Sequence, residues 1–302
     1  MYDIVIVGAG PAGLTAALYA RRAGKSVLLL EKNAFGGQIV YSPKVENYPG
    51  FESVSGSELA DKLVSQVLAQ GADVEVETVV RVRDEGACKV VETEEGSSYE
   101  CRAVILANGA RHRHLGLPNE EKFIGEGISF CAVCDGAFYK DKTVALVGGG
   151  NSALQEAILL SETSKKVYVV QNLDFLTGEQ RLQEILRRRE NVEIITGAVV
   201  KEIPDGDELS AIVIVRNDGT ERRLDIDGLF VAIGLVPENG AFEAVAALNE
   251  AGYYASGEDC RTKTDGIFVA GDCRAKGVRQ VTTATGDGAV AALAACRYID
   301  SL

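Results

Sequence analysis

The stretch Ile4-Val5-Ile6-Val7-Gly8-Ala9-Gly10-Pro11-Ala12-Gly13 decides the fold. Four branched apolar residues have the pattern of a buried strand. They run straight into three glycines spaced G-x-G-x-x-G. A helical pattern follows over residues 14–23. Gly24 and Lys25 stop that helix, and a second apolar run, 27–30, closes on Glu31. Each small residue has a physical task in such a turn. The first permits a tight bend, the second lets the backbone approach a pyrophosphate, and the third lets the helix pack on the strand. The helix start then offers free N–H groups and partial positive charge to phosphates. A carboxylate at the end of the second strand can bind ribose hydroxyls.

One such loop is weak evidence, but the chain contains two. Residues 143–147 read as a strand, Gly148-Gly149-Gly150-Asn151-Ser152-Ala153 follows, and residues 154–162 read as a helix. A strand at 167–170 then closes on Gln171, as far beyond Gly148 as Glu31 lies beyond Gly8. Between the copies, residues 74–102 alternate like antiparallel strands, and 103–107 read as a separate buried strand. A similar meander covers 198–224, followed by strands at 229–233 and 266–270. A helix over 284–299 closes the chain. Short glycine- and proline-bearing joints fall at 111–118 and 234–240. The expected architecture is α/β: two Rossmann-like, three-layer ββα dinucleotide-binding domains, the second inserted in the first. Residues 1–114 with 239–302 form the outer domain and 115–238 the inner one.

A net charge of −13 argues against a nucleic-acid partner. No apolar run approaches the roughly 20 residues that span a bilayer. No basic leader precedes an apolar segment, so a cytoplasmic protein without membrane attachment is expected. Seven cysteines are an odd count and do not resemble a secreted disulfide framework. Two of them, Cys131-Ala132-Val133-Cys134, form a C-x-x-C followed by Asp135. That spacing lets two sulfurs meet across one turn and lowers one thiol's pKa. Asp135 could move the proton that thiol exchange requires. Half of a zinc site and an inert buried pair are the other readings; zinc needs two further ligands. Cys260 and Cys273 are thirteen residues apart, and the two histidines sit together at His112 and His114. The remaining cysteines are expected to be ordinary thiols and the two histidines to sit exposed at a joint.

These motifs, in this order, resemble the low-molecular-weight thioredoxin reductases over essentially the whole chain. The matching features are Gly8–Gly13 with Pro11, Gly36-Gly37-Gln38, Val45-Glu46-Asn47-Tyr48-Pro49-Gly50, Cys131–Asp135 and Gly148–Ala153. Val231-Ala232-Ile233-Gly234 with Pro237, Ala270-Gly271-Asp272 and Arg279-Gln280-Val281-Thr282-Thr283-Ala284 complete them. The resemblance implies FAD in the outer domain, a homodimer, thioredoxin as substrate and a swivelling inner domain. Carried over by residue, Gly8, Gly10, Pro11, Ala12 and Gly13 hold the FAD pyrophosphate and Glu31 the adenosine ribose. Gly37, Gln38 and Asn47 lie near the flavin, Gly271 and Asp272 hold the ribityl chain, and Arg279, Gln280 and Val281 approach the ring. The family pattern makes Cys134 the flavin-facing sulfur, Cys131 the sulfur that attacks substrate, and Asp135 the acid–base residue. Asn108 stands where the family usually has threonine, with a small effect expected.

The sequence departs from the family at the second nucleotide site. Gln171 replaces the ribose-binding acid. Family members that use NADPH carry a His-Arg-Arg stretch there and a further arginine four residues on. This chain reads Gln171-Asn172-Leu173-Asp174-Phe175-Leu176-Thr177, without a basic residue. NAD(P)H use is therefore in doubt, and the resemblance points to the ferredoxin-linked, pyridine-nucleotide-independent branch. A ferredoxin near about −400 mV driving a disulfide near about −270 mV releases roughly 6 kcal/mol for two electrons. NADPH- or NADH-dependent thioredoxin reduction is the alternative, and a non-catalytic flavin redox sensor a lesser one. Arg111/Arg113, Lys140/Lys142 and Arg274/Lys276 are candidate basic patches for docking an acidic ferredoxin.

Overall fold

The computed structural model describes residues 1–42 and 45–302. The chain opens with β1 (Tyr2–Val7), α1 (Pro11–Arg22), β2 (Val27–Glu31) and α2 (Gly56–Ala69). It continues through β3 (Asp73–Val76), β4 (Val79–Glu85), β5 (Cys88–Thr93), β6 (Ser98–Leu106) and β7 (Ala110–His112). The next stretch is α3 (Glu120–Phe123), β8 (Ile128–Ser129), α4 (Ala132–Asp135), β9 (Thr143–Val147), α5 (Asn151–Thr163), β10 (Lys166–Val170) and α6 (Gln180–Arg187). Then come β11 (Val192–Ile195), β12 (Ala198–Glu202), β13 (Ala211–Arg216), β14 (Glu221–Asp225), β15 (Gly228–Val231), β16 (Leu235–Pro237), β17 (Ile267–Val269) and α7 (Val281–Asp300).

Two compact units result: Met1–Arg111 with Val236–Leu302, and His112–Leu235. The divisions fall a few residues before those expected, within β7 and within β16, where the two connecting segments pair as a ribbon.

In the first unit β3, β2, β1, β6 and β17 form a parallel sheet, with β1 pairing β2 on one side and β6 on the other. Strands buried on both faces read as continuous apolar runs, as residues 4–7 and 27–30 do. One face packs on α1 and α7, which approach closely because Gly288 lacks a Cβ; one there would lie 2.2 Å from the Ala12 carbonyl oxygen. The other face carries Val5, Val7, Leu28 and Leu30 against Phe242, Val245 and Tyr254.

Residues 98–106 are one strand, not a meander strand followed by a separate buried one. Its first part pairs antiparallel with β5, while its later part pairs parallel with β1 and β17. No glycine or proline occurs anywhere in Ser98–Leu106, so nothing breaks the strand where its partners change. Helix α2 carries a start signal that the periodicity reading passed over: Ser55 Oγ accepts the Glu58 N–H at 3.1 Å.

The second unit repeats the plan. Strands β11, β10, β9, β15 and β8 form a parallel sheet. Helix α5 covers one face with Ala153, Leu154, Ala157 and Leu160. The antiparallel sheet β12-β13-β14 covers the other, supplying Val200, Ile212, Ile214 and Leu224. Each unit is therefore layered helix, parallel sheet and antiparallel or irregular cover. Among the described residues no helix is long and apolar enough to cross a membrane.

Candidate active site

The first glycine loop is built by steric exclusion. Gly8 has φ +100°, and a Cβ there would lie 2.5 Å from the Ala107 carbonyl oxygen. A Cβ on Gly13 would lie 1.9 Å from the Gly8 oxygen. Gly10 differs, because a Cβ there would meet only the Gly37 Cα, at 4.0 Å, so this face of the loop is open to an approaching group. Pro11 sits in the first turn of α1, and no side chain caps that helix start. Glu31 ends β2 and folds back: its Oε2 accepts the Ala9 N–H at 2.8 Å and its Oε1 the Asn33 N–H at 3.0 Å.

Distant segments of the same unit come together beside this loop. Gly271 (φ +81°) donates its N–H to Asp287 Oδ2 at 3.0 Å, and a Cβ there would lie 2.8 Å from the Ala12 Cβ. Asp272 follows; its Oδ1 is buried without a hydrogen-bond partner, and burial raises its carboxyl pKa. Arg279 stacks over Tyr253 at 4.1 Å and donates to the Asp272 carbonyl at 3.2 Å. Gln280 caps α7 and accepts from Asn47 Nδ2 at 3.1 Å. Val281 packs on the apolar cluster of Ile39, Val45 and Leu59. Gln38 is exposed in the turn that Gly37 opens. Asn108 has a larger role than expected: it donates to Asn239 Oδ1 at 2.9 Å and accepts from the Tyr254 hydroxyl at 3.2 Å, fastening the returning chain.

In the second unit Cys131 and Cys134 form a disulfide with a Cα–Cα separation of 5.3 Å. Cys131 is the extended residue that caps α4, and its Sγ accepts the Cys134 N–H at 3.2 Å. Ser129, at the end of β8, donates its hydroxyl to Asp135 Oδ2 at 2.6 Å and accepts the Cys131 N–H at 3.1 Å. One buried serine thus fixes the carboxylate and the first cysteine together. Val133, between the sulfurs in sequence, is 56% exposed, so this turn lies at the unit's surface.

The second glycine loop has the same backbone and a different occupant. Gly148 repeats Gly8, with φ +140° and a would-be Cβ 2.4 Å from the Ala232 oxygen. Beyond it, Gln171 is buried, and its side chain fills the place of a Gly149 Cβ, with Cδ at 2.6 Å and Nε2 at 2.7 Å. The N–H groups of Thr177 and Gly178 bond the Gly149 carbonyl at 2.9 and 2.8 Å. Asn151, the first residue of α5, exchanges hydrogen bonds with Glu179 at 3.1 and 2.7 Å. The segment 171–179 therefore folds over the loop and sets a carboxylate beside the helix start.

The model of the pyridine nucleotide-disulphide oxidoreductases matches residues 2–288. The chain belongs to this family. A thioredoxin reductase of Listeria innocua is 43% identical over 304 residues, covering 100% of this chain and 95% of the relative. One from Bacillus subtilis is 41% identical over 305 residues, covering 100% and 96%. The solved thioredoxin reductase of Streptococcus pyogenes superposes with a TM-score of 0.94 at 40% identity, covering 100% of this chain and 99% of that one.

As a pyridine nucleotide-disulphide oxidoreductase, the chain is an enzyme of disulfide oxidoreduction. Its first unit fits a dinucleotide flavin. The open Gly10 face and uncapped α1 start suit a pyrophosphate, and the unpartnered Asp272 Oδ1 suits a hydroxyl donor. Three of the other cysteines are not poised for exchange: burial pushes the thiols of Cys101, Cys260 and Cys273 up to about 12. Two expectations need correction. Arg274 and Lys276 form no basic surface patch, because their side chains are 2% and 6% exposed and both bond Asp287. His112 is not exposed; it stacks on Phe130, the residue before Cys131, at 5.0 Å, and His114 stacks on the same ring at 5.0 Å. Burial, helped by His114, pushes His112 down to about 4, so it is neutral at working pH.

Proposed function

We propose that this chain is an FAD-dependent thioredoxin-disulfide reductase that takes its electrons from reduced ferredoxin rather than from a pyridine nucleotide. The thioredoxin reductases among its relatives support the substrate, and the Cys131–Cys134 disulfide supports the route by which electrons leave. Gly10, Gly13, Glu31 and Asp272 would hold the dinucleotide, with Asn47, Arg279, Gln280 and Val281 toward its ring. FAD bound there supplies two-electron exchange with a disulfide.

In the exchange step the Cys131 thiolate attacks one sulfur of the substrate disulfide. A mixed disulfide forms and one substrate thiolate leaves. Cys134 then attacks the Cys131 sulfur, which releases the second substrate thiolate and re-forms Cys131–Cys134. Asp135, held by Ser129, supplies a proton to a departing sulfur. The α4 start favours the Cys131 thiolate through the Cys134 N–H.

The observation that carries the donor reading is Gln171. The side chain placed to select a ribose is buried against Gly149, and no arginine or lysine occurs between it and Thr177. The retained Gly148 turn favours the second reading, an NADPH- or NADH-dependent reductase. Anaerobic bleaching of the flavin band separates the two. Reduced ferredoxin should bleach it, whereas micromolar NADPH or NADH should not; rapid, complete bleaching by NADPH refutes the ferredoxin reading. A count of free thiols before and after reduction separates both from a redox sensor, which would open no disulfide.

A further inference from the structure

Glu156 is a half-buried carboxylate on α5, aimed at the turn that carries the disulfide. Its Oε2 accepts the Ala132 N–H at 3.1 Å, the amide immediately after Cys131. That amide heads α4 and has no acceptor within the helix. The N–H groups of Cys134 and Asp135 both go to the Cys131 carbonyl, at 3.2 and 3.0 Å. Glu156 is thus the contact by which α5 holds the first amide of the C-x-x-C turn.

Among the described residues no cation offsets its charge. The titratable groups on α4 and the turn after it are Cys131, Cys134, Asp135 and Tyr139. Helix α6, also packed on α5, carries Arg181, Glu184 and Arg187. The groups on β9 and β10 are Lys166 and Tyr168. None of these contributes charge to the Glu156 carboxyl. Burial pushes it up to about 7, and the Ala132 N–H only partly opposes that rise. This carboxyl, held above the usual range by burial, therefore stands beside a centre whose charge changes on reduction.

We propose that Glu156 is a positioning residue whose carboxyl takes up a proton when Cys131–Cys134 is reduced and gives it back when the disulfide re-forms. The inference rests on the reading that this pair turns over. The oxidised state holds an S–S bond and, above neutrality, an ionised Glu156. Two electrons from the reductant break the S–S bond. One proton goes to one sulfur, leaving a thiol and a thiolate. A second goes to Glu156, because a new thiolate at close range raises the pKa of a carboxylate that has no countercharge. Attack of the thiolate on a substrate disulfide restores the S–S bond, and both protons leave, one to each departing sulfur or to solvent.

The test uses the flavin-loaded full chain, equilibrated in dithiothreitol redox buffers at several pH values, with opened thiols counted by alkylation. Glu156→Gln keeps a carbonyl oxygen for the Ala132 N–H but holds no titrating proton. Just above neutrality the reduction equilibrium constant of the unaltered protein should fall with pH more steeply than that of E156Q. The difference should reach up to tenfold per pH unit, about 30 mV for two electrons. Equal slopes overturn the proposal. A second measurement needs no variant. In protein isotope-labelled at its glutamate carboxyl carbons, reduction should produce an infrared band of a protonated glutamate; its absence also overturns the proposal. A pair that does not open in either protein instead refutes the reading on which the inference rests.

Discussion

Replacing Asp287 with asparagine removes the carboxylate from a buried ion cluster beneath the Gly271 loop. Arg274 donates to it through Nε at 2.8 Å and Nη2 at 2.9 Å, Lys276 through Nζ at 2.8 Å, and Gly271 through its N–H at 3.0 Å. Both cationic side chains are buried, and the one other carboxylate recorded on Arg274, that of Glu258 at 3.4 Å, is 94% exposed. Asparagine keeps the shape and leaves two buried cations facing a neutral amide. Removing one partner from such a cluster costs about 3–5 kcal/mol. For a unit of this size each kcal/mol moves the melting temperature by about 2–4 °C, so a fall of roughly 6–20 °C is expected. Thermal unfolding followed by circular dichroism measures it. Flavin retained per chain should fall too, because the Gly271 N–H places Asp272. Replacing Asp287, Arg274 and Lys276 together with apolar residues should recover much of the loss, since no charge is then stranded. A melting shift below about 2 °C in D287N would refute the reasoning. The pH dependence has a definite sign. Burial alone would raise the Asp287 carboxyl, but Arg274 and Lys276 hold it below its ordinary value. Its contribution is therefore full above the unfolded carboxylate value of about 4 and is lost as pH falls through the lower folded one. Asparagine should flatten acid unfolding in that window.

Cys134→Ser should keep its flavin and its fold and lose turnover with a disulfide substrate; measurable steady-state turnover would remove the pair from the mechanism. Gly149→Ala places a Cβ 2.6 Å from Gln171 Cδ and should destabilise the second unit by about 1–3 kcal/mol. Adding Gln171→Ala should relieve most of that cost, and additive losses in denaturant melts would show that the two do not touch. His112 titrates near 4 in the fold and near 6.5 unfolded, so the unfolded chain binds the proton first as pH drops. His112 should cost the second unit roughly 2–3 kcal/mol between about pH 6.5 and 4, against an opposite contribution from the raised Glu156 carboxyl, so the loss is read as the difference between the unaltered protein and His112→Phe. Urea melts at both ends of the window would show it.

Much of the site could be read along the chain because its geometry is local. Gly8 and Gly148 must be glycine, since the strand-to-helix turn drives a positive φ against a neighbouring carbonyl, and that need appears as spacing. Cys131 and Cys134 meet across a single turn, so three residues of sequence place the sulfurs. Ser55 and Glu58 were equally local and announce α2 by the same logic. Where periodicity misled, the cause was a change of partner: β6 exchanges antiparallel for parallel neighbours without any change in its own composition.

Residue identity at short range is enough to show two nucleotide-type βα turns, the C-x-x-C between them, and a glutamine, Gln171, in place of an acid after the second. The tertiary structure decided what long-range packing controls. It buried Arg274 and Lys276 on Asp287, although a basic loop reads as solvated until a helix brings up a carboxylate. It turned Gln171 inward onto Gly149, set His112 and His114 on Phe130, and aimed Glu156 at the amide after Cys131. Burial and partner choice set the charge of each of these groups, and both arise only when distant segments share one core.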